Sequence, residues 1–150
     1  MSVFLTRVLL NPFALIVLLV MVGCGSSPQQ RASNQVYKEV SAKTRHVEAE
    51  RVLKGSTHLI LVYARGLCCP SCSLGVRKTV SRLSFVDVEQ PNKGVALDAK
   101  HQLVHVMLKP GVEVITDEIW QAIDDAGYDP VTLFRYGDSG LETEQYKGQP

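Results

Sequence analysis

Apolar periodicity over residues 57–135 runs β-α-β-β-α-β. That order predicts an α+β domain of the ferredoxin-like, split βαβ kind: a four-stranded antiparallel sheet with two helices on one face. Three observations carry the prediction. Thr57–Arg65 is apolar on both faces, with Leu59, Leu61 and Tyr63 on one side and Ile60, Val62 and Ala64 on the other, as an inner strand requires. Cys72–Leu83 and the segment from Thr116 repeat apolar residues at helical spacing. Val95–Asp98 and Leu103–Leu108 alternate at period two around Ala99–Gln102, the pattern of a hairpin.

Taken in order, the chain begins with a different composition. Arg7 is the only charge in residues 1–23, and an apolar core of roughly 15 residues follows it, as in a secretory signal. The core is at or below the roughly 17–25 residues that span a bilayer. Met21-Val22-Gly23-Cys24 resembles a bacterial lipobox, with Met21 in place of the usual Leu. The resemblance implies cleavage after Gly23, lipidation of Cys24 and a place in the cell envelope facing the periplasm. Gly25 in the next position is similar to lipoproteins of the outer membrane. An uncleaved signal anchor is the alternative, and it too puts the rest of the chain outside the cytoplasm.

Residues 24–56 read as the lipidated Cys, a tether and a charged stalk. Gly25–Gln35 is small and polar. Val36–Leu53 spaces Val36, Val40, Val47 and Val52 among many charges, which fits a weakly amphipathic helix or a stalk. Gly55-Ser56 ends it. The domain follows over 57–135. Its first helix buries Val76, Val80 and Leu83; Ser84–Gly94 is part extended and part loop; Pro110-Gly111 closes the hairpin. Thr116 is the expected N-cap of the second helix, Ile119, Ala122, Ile123 and Ala126 its stripe, and Gly127 its C′ residue. Tyr128–Phe134 is the last strand, and residues 136–150 form a polar tail.

Composition narrows the function classes. The net charge is +1 with no basic patch, so nucleic acid has no electrostatic footprint. With Arg7 removed, the sixteen bases fall to fifteen, against fifteen acids. Lipidation of Cys24 leaves three of the four cysteines, an odd number that argues against a disulfide framework.

Those three lie in Gly66-Leu67-Cys68-Cys69-Pro70-Ser71-Cys72, between the first strand and the first helix. Cys69 and Cys72 form C-x-x-C, three apart on a helical first turn, so their sulfurs face the same way. Unsatisfied N–H groups and the helix dipole favour thiolate there, the form that binds metal or attacks disulfides. A structural disulfide, or cysteines acting as small hydrophobes, is the plainer reading.

Here the residues resemble a known family. The pattern Gly-Met-x-Cys-x-x-Cys of heavy-metal-associated domains falls on Gly66–Cys72. Its helix positions fall on Val76, Val80 and Leu83, and its closing pattern on Ile119, Ala122, Ile123, Gly127 and Tyr128. This is the fold of copper chaperones, of the metal-binding modules of copper-exporting ATPases and of the periplasmic mercury-binding protein. The resemblance implies that Cys69 and Cys72 ligate metal. Leu67 takes the place of a core-packing Met, a near volume match, and Tyr128 lies on the loop that approaches the site. Cys68 replaces a polar residue and either adds a third thiolate or points away. Pro70 removes one N–H from the loop. Ser84–Gly94 is longer than the family norm.

Two thiolates suit Cu(I) or Hg(II), which accept near-linear sulfur coordination; Zn(II) and Cd(II) normally want four ligands. The expected function is a soft-metal carrier or scavenger, not an enzyme, whose partners are the membrane through its anchor and a metal transporter or another thiol metal-binding domain. A thiol–disulfide redox protein using the same cysteines is the alternative, and an anchored interaction domain a further one. His101 and His105, placed by this reading at a hairpin away from the cysteine loop, are expected to be solvated; His46 and His58 are isolated, with surface or packing roles the default. Asp98, Asp124 and Asp125 read as surface charge, and Trp120 as cover for the core edge.

Overall fold

A computed structural model describes residues 38–69 and 72–148, apart from the side chains of Cys72 and Ser73. The signal segment and Cys24 lie outside the described residues. The elements are α1 (Ala42–Leu53), β1 (Leu59–Arg65), α2 (Cys72–Val80), β2 (Val95–Asp98), β3 (Leu103–Met107), α3 (Thr116–Asp124), β4 (Asp129–Gly137) and β5 (Gly140–Gln145). The strands form one antiparallel sheet in the order β2-β3-β1-β4-β5. From β1 to β4 this is the ferredoxin-like arrangement. None of the described helices is long and apolar enough to cross a membrane.

β1 is the inner strand that its two apolar faces require. It pairs with β3 on one side and β4 on the other. Ile60, Val62 and Ala64 join the core beneath α2 and α3, with Val76, Val80, Val104, Val106, Ile119, Ile123 and Leu133. Leu61 and Tyr63 face the other way, into a second cluster with Ala49, Leu53, Leu103 and Phe134.

That second cluster exists because α1 packs on the sheet. Residues 42–53, expected as a stalk or weak helix, are a helix capped by Ser41, whose Oγ accepts from Thr44 N at 3.1 Å. Its buried stripe is Arg45, Ala49 and Leu53, at i, i+4, i+8. The Arg45 guanidinium lies 3.5 Å from the Tyr63 ring centroid and donates to the Val40 carbonyl. Tyr63 donates its hydroxyl to Glu39 at 2.6 Å.

The other end also departs from expectation. Residues 136–150 are not all a tail: β5 pairs with β4 from Gly137↔Gly140 to Thr132↔Gln145, making a fifth strand. Its side chains are polar because it is an edge strand; Arg135 bridges to Glu142 and Glu144 at 3.3 Å each. Beyond it the Tyr146 ring packs tilted against Trp120, centroids 5.5 Å apart and planes at 46°, and Trp120 is buried at the core edge.

Smaller differences have local causes. α2 stops at Val80; a tightening turn (Leu83 N to Val80 O, 3.1 Å) carries Leu83 to the core margin. Ser84–Gly94 is fastened at its start, since Phe85 and Val86 are fully buried and Asp87 N donates to Met107 O at 2.9 Å. Thr116 is the first helical residue, not the cap; Ile115 caps with no side-chain bond, and Thr116 Oγ1 reaches Glu144 at 3.4 Å.

Candidate metal-binding loop

The loop begins where β1 lets go of its neighbours. Arg65 still pairs with Asp129 in the ladder and through a 3.0 Å salt bridge. Gly66 follows at φ +85°, a left-handed turn that glycine takes without strain. Leu67 then drops fully buried into the core among Val76, Val80 and Ile123. Cys68 and Cys69 come next and are half-buried. Pro70 and Ser71 lie outside the described residues, and α2 opens at Cys72. The backbone thus places Cys69 just before a helix N-terminus and Cys72 at its first position. Leu74, two residues into α2, is 68% exposed.

Tyr128 reaches this loop because of how α3 ends. Gly127 at φ +85° closes the helix with two bonds, Gly127 N to Asp124 O (2.7 Å) and Tyr128 N to Ile123 O (3.2 Å). This Schellman pair makes Gly127 the C′ residue and Tyr128 the next. The Tyr128 ring lies 3.8 Å from where a Cβ on Gly66 would stand. Arg65, Gly66, Asp124, Gly127, Tyr128 and Asp129 line a shallow depression beside the loop.

The histidines are not where the sequence reading put them. Strand directions alternate, so the β2–β3 turn sits at the same end of the sheet as the end of β1: Tyr63 pairs with Leu103, and Ala64 N donates to Gln102 O at 3.2 Å. Nor is His101 solvated. Its Nδ1 is 2.5 Å from Asp98 Oδ2 and 3.9 Å from Glu48 Oε1. Burial works to raise the Asp98 pKa, but bonds from the His101 side chain and backbone outweigh it and hold the carboxyl below its ordinary value. Glu48 is lowered chiefly by its bond to Arg51. Burial pushes His105 down, against the pull of Asp98 and Glu48. The Glu48–Asp98–His101 group escaped sequence reading because Glu48 lies fifty residues before Asp98 on a helix not expected to dock; only the Asp98-x-x-His101 spacing hinted at it.

No protein-family model matches this sequence, and no curated protein does. Among solved structures a CopZ metallochaperone matches at 20% identity and a TM-score of 0.40, over 49% of this chain and 98% of that one. The fold assignment rests on strand order and connectivity, not on that similarity.

Proposed function

We propose that this protein is a lipid-anchored, extracytoplasmic carrier or scavenger of a soft metal ion, Cu(I) or Hg(II), held by the thiolates of Cys69 and Cys72. One observation supports it most. Between a clamped inner strand and a helix N-terminus, the chain buries Leu67 completely and leaves Cys69 half-exposed two residues later. The anchor residue fixes the loop and the cysteine stays accessible to an incoming ligand. Open, low coordination lets an acceptor thiolate join before a donor thiolate leaves, which suits transfer better than storage. Zn(II) or Cd(II) would need further ligands from a partner. Cys68 is the candidate third sulfur, and Tyr128 shields the loop from the α3 side. Nothing in this chemistry breaks a substrate bond, so the protein acts as a binder. Cys24 carries the anchor, in the outer membrane facing the periplasm. A metal transporter or a second thiol domain is the exchange partner.

Native mass spectrometry tests the reading on the anaerobically reduced chain offered Cu(I), Hg(II) and Zn(II) in competition. One soft metal per chain, lost in Cys69→Ser/Cys72→Ser, is the expected result. Cys68→Ser then separates two sulfurs from three. No metal, with two hydrogens lost on exposure to air, would replace this reading with thiol–disulfide exchange.

A further inference from the structure

α1 assembles a second set of donor atoms, of a different chemical kind from the cysteines. Glu48 on α1, Asp98 at the end of β2 and His101 in the following turn place their ligand atoms within 4.8 Å of one another. Their side chains are only 13%, 23% and 15% exposed. His105 stands on the same sheet face, two residues along β3 from Leu103, which packs under α1. The buried Nε2 of His105 has no hydrogen-bond partner. Buried polar atoms are nearly always satisfied, so this unpaired ring nitrogen is an exception that a bound ligand would explain.

We propose that Glu48, Asp98 and His101, with His105 as fourth donor, bind a borderline divalent cation of the Zn(II) class. Two imidazoles and two carboxylates are a donor set for Zn(II), whereas thiolates select soft ions. Tetrahedral bonds of about 2.0–2.2 Å put neighbouring donors roughly 3.3 Å apart. The 2.5 Å contact between His101 and Asp98 must open, the 3.9 Å gap to Glu48 must close, and His105, outside the 4.8 Å group, must move toward it. A bound cation would replace the direct contact between His101 and Asp98. Arg51 competes for Glu48, bonding both its oxygens at 2.8 and 2.5 Å. It is 69% exposed, so it can swing into water. An ion-pair network of purely structural purpose would also explain three of the four residues, but not the orphaned His105 nitrogen.

The test uses the full, untagged chain with all four cysteines replaced by serine, so that the strongest remaining donors are four histidines. Metal-free protein is titrated with Zn(II) by calorimetry and with Co(II) by visible absorption. One equivalent should bind, with Co(II) bands of tetrahedral nitrogen and oxygen ligation. His101→Gln, Asp98→Asn and His105→Gln should each weaken binding by at least about tenfold, while His46→Gln and His58→Gln leave it unchanged. Arg51→Gln, a surface change that spares the fold, should tighten it by releasing Glu48. A purely structural network predicts no such gain. Absence of a stoichiometric site, loss through His46 or His58 instead, or an Arg51→Gln chain that binds no more tightly than its parent would each overturn the proposal.

Discussion

Leu53→Ala tests whether α1 belongs to the folded domain or is merely strung before it. Leu53 is fully buried at the end of α1, in the cluster with Ala49, Leu61, Tyr63, Leu103 and Phe134. Burying a leucine side chain is worth about 1.5–3 kcal/mol, and the cavity left by truncation brings Leu→Ala losses to about 2–5 kcal/mol. Here the cavity walls are two rings and an inner strand, which collapse poorly, while the single covering helix can settle by a fraction of a turn. A loss near 3 kcal/mol follows, the middle of that range. With a urea slope of about 1.5 kcal/mol per molar for a domain this size, the midpoint should fall by roughly 2 M. The assay is urea unfolding of residues 37–150 followed by two probes, far-ultraviolet dichroism and the fluorescence of Trp120, which sits on the opposite face of the sheet. Both probes should move together. Val47→Ala, at a residue 58% exposed on the same helix, should shift the midpoint by no more than the equivalent of about 0.5 kcal/mol. A Leu53→Ala transition in which Trp120 unfolds at the parent's midpoint would refute the docking of α1.

Two glycines in left-handed conformations separate clash from backbone strain. Gly94 is at φ +74°, and a Cβ there would stand 2.4 Å from the Asp87 carbonyl oxygen; Gly111 is at φ +71° with nothing within 4 Å. Gly111→Ala should lose only the conformational penalty, about 1–2 kcal/mol, and Gly94→Ala distinctly more; equal melting temperatures would contradict this. Tyr63 predicts an alkaline limit. Burial, then its bond to Glu39, raises its phenol above the ordinary value of 10.0. The unfolded chain therefore loses that proton first, so stability conferred below pH 10 declines as pH rises through the folded-state pKa. Tyr63→Phe should flatten the stability profile above pH 10, and an unchanged slope in alkaline urea titrations would count against it. Tyr146→Ala should expose Trp120, shift its emission to the red and cost about 1–2 kcal/mol from the lost ring contact and cover. Unshifted emission would show that the ring pair does not persist in solution.

The parts of the fold legible in sequence are those whose cause is local. β1 announced an inner strand because both its faces are apolar, and α3 announced its end through Gly127, whose φ only glycine adopts cheaply. Leu67 could be placed in the core from its position in the loop pattern. What stayed hidden depends on pairing. α1 buries an arginine and an alanine in its stripe, so it looks charged until Tyr63 is set beneath Arg45. β5 reads Gly-Leu-Glu-Thr-Glu-Gln, with no apolar alternation, because what holds it is the ladder to β4 and the Arg135 bridges. The histidine turn lies at the cysteine-loop end because β3 runs antiparallel to β1, and its partner Glu48 is set by the docking of α1.

The two elements added to the four-stranded plan bear on the loop itself. Without α1, the face of β1 carrying Leu61 and Tyr63 would meet water, and without β5, β4 would be an edge strand. Covered and flanked, β1 holds Arg65 in a fixed register, so the chain leaves the sheet from a rigid point just before Gly66. The segment before α1 is fastened at the same end: Val40 N donates to Gln102 Oε1 at 3.2 Å, and Gln102 O accepts from Ala64 N. The segment leading into α1 is therefore fastened at the end of the sheet where the cysteine loop begins. There Glu39 and Arg45 bracket the Tyr63 ring, one strand position from Ala64 and three from Gly66. Because Tyr63 is paired on both sides, the segment leading into α1 and the approach to the cysteine loop are held by one inner strand.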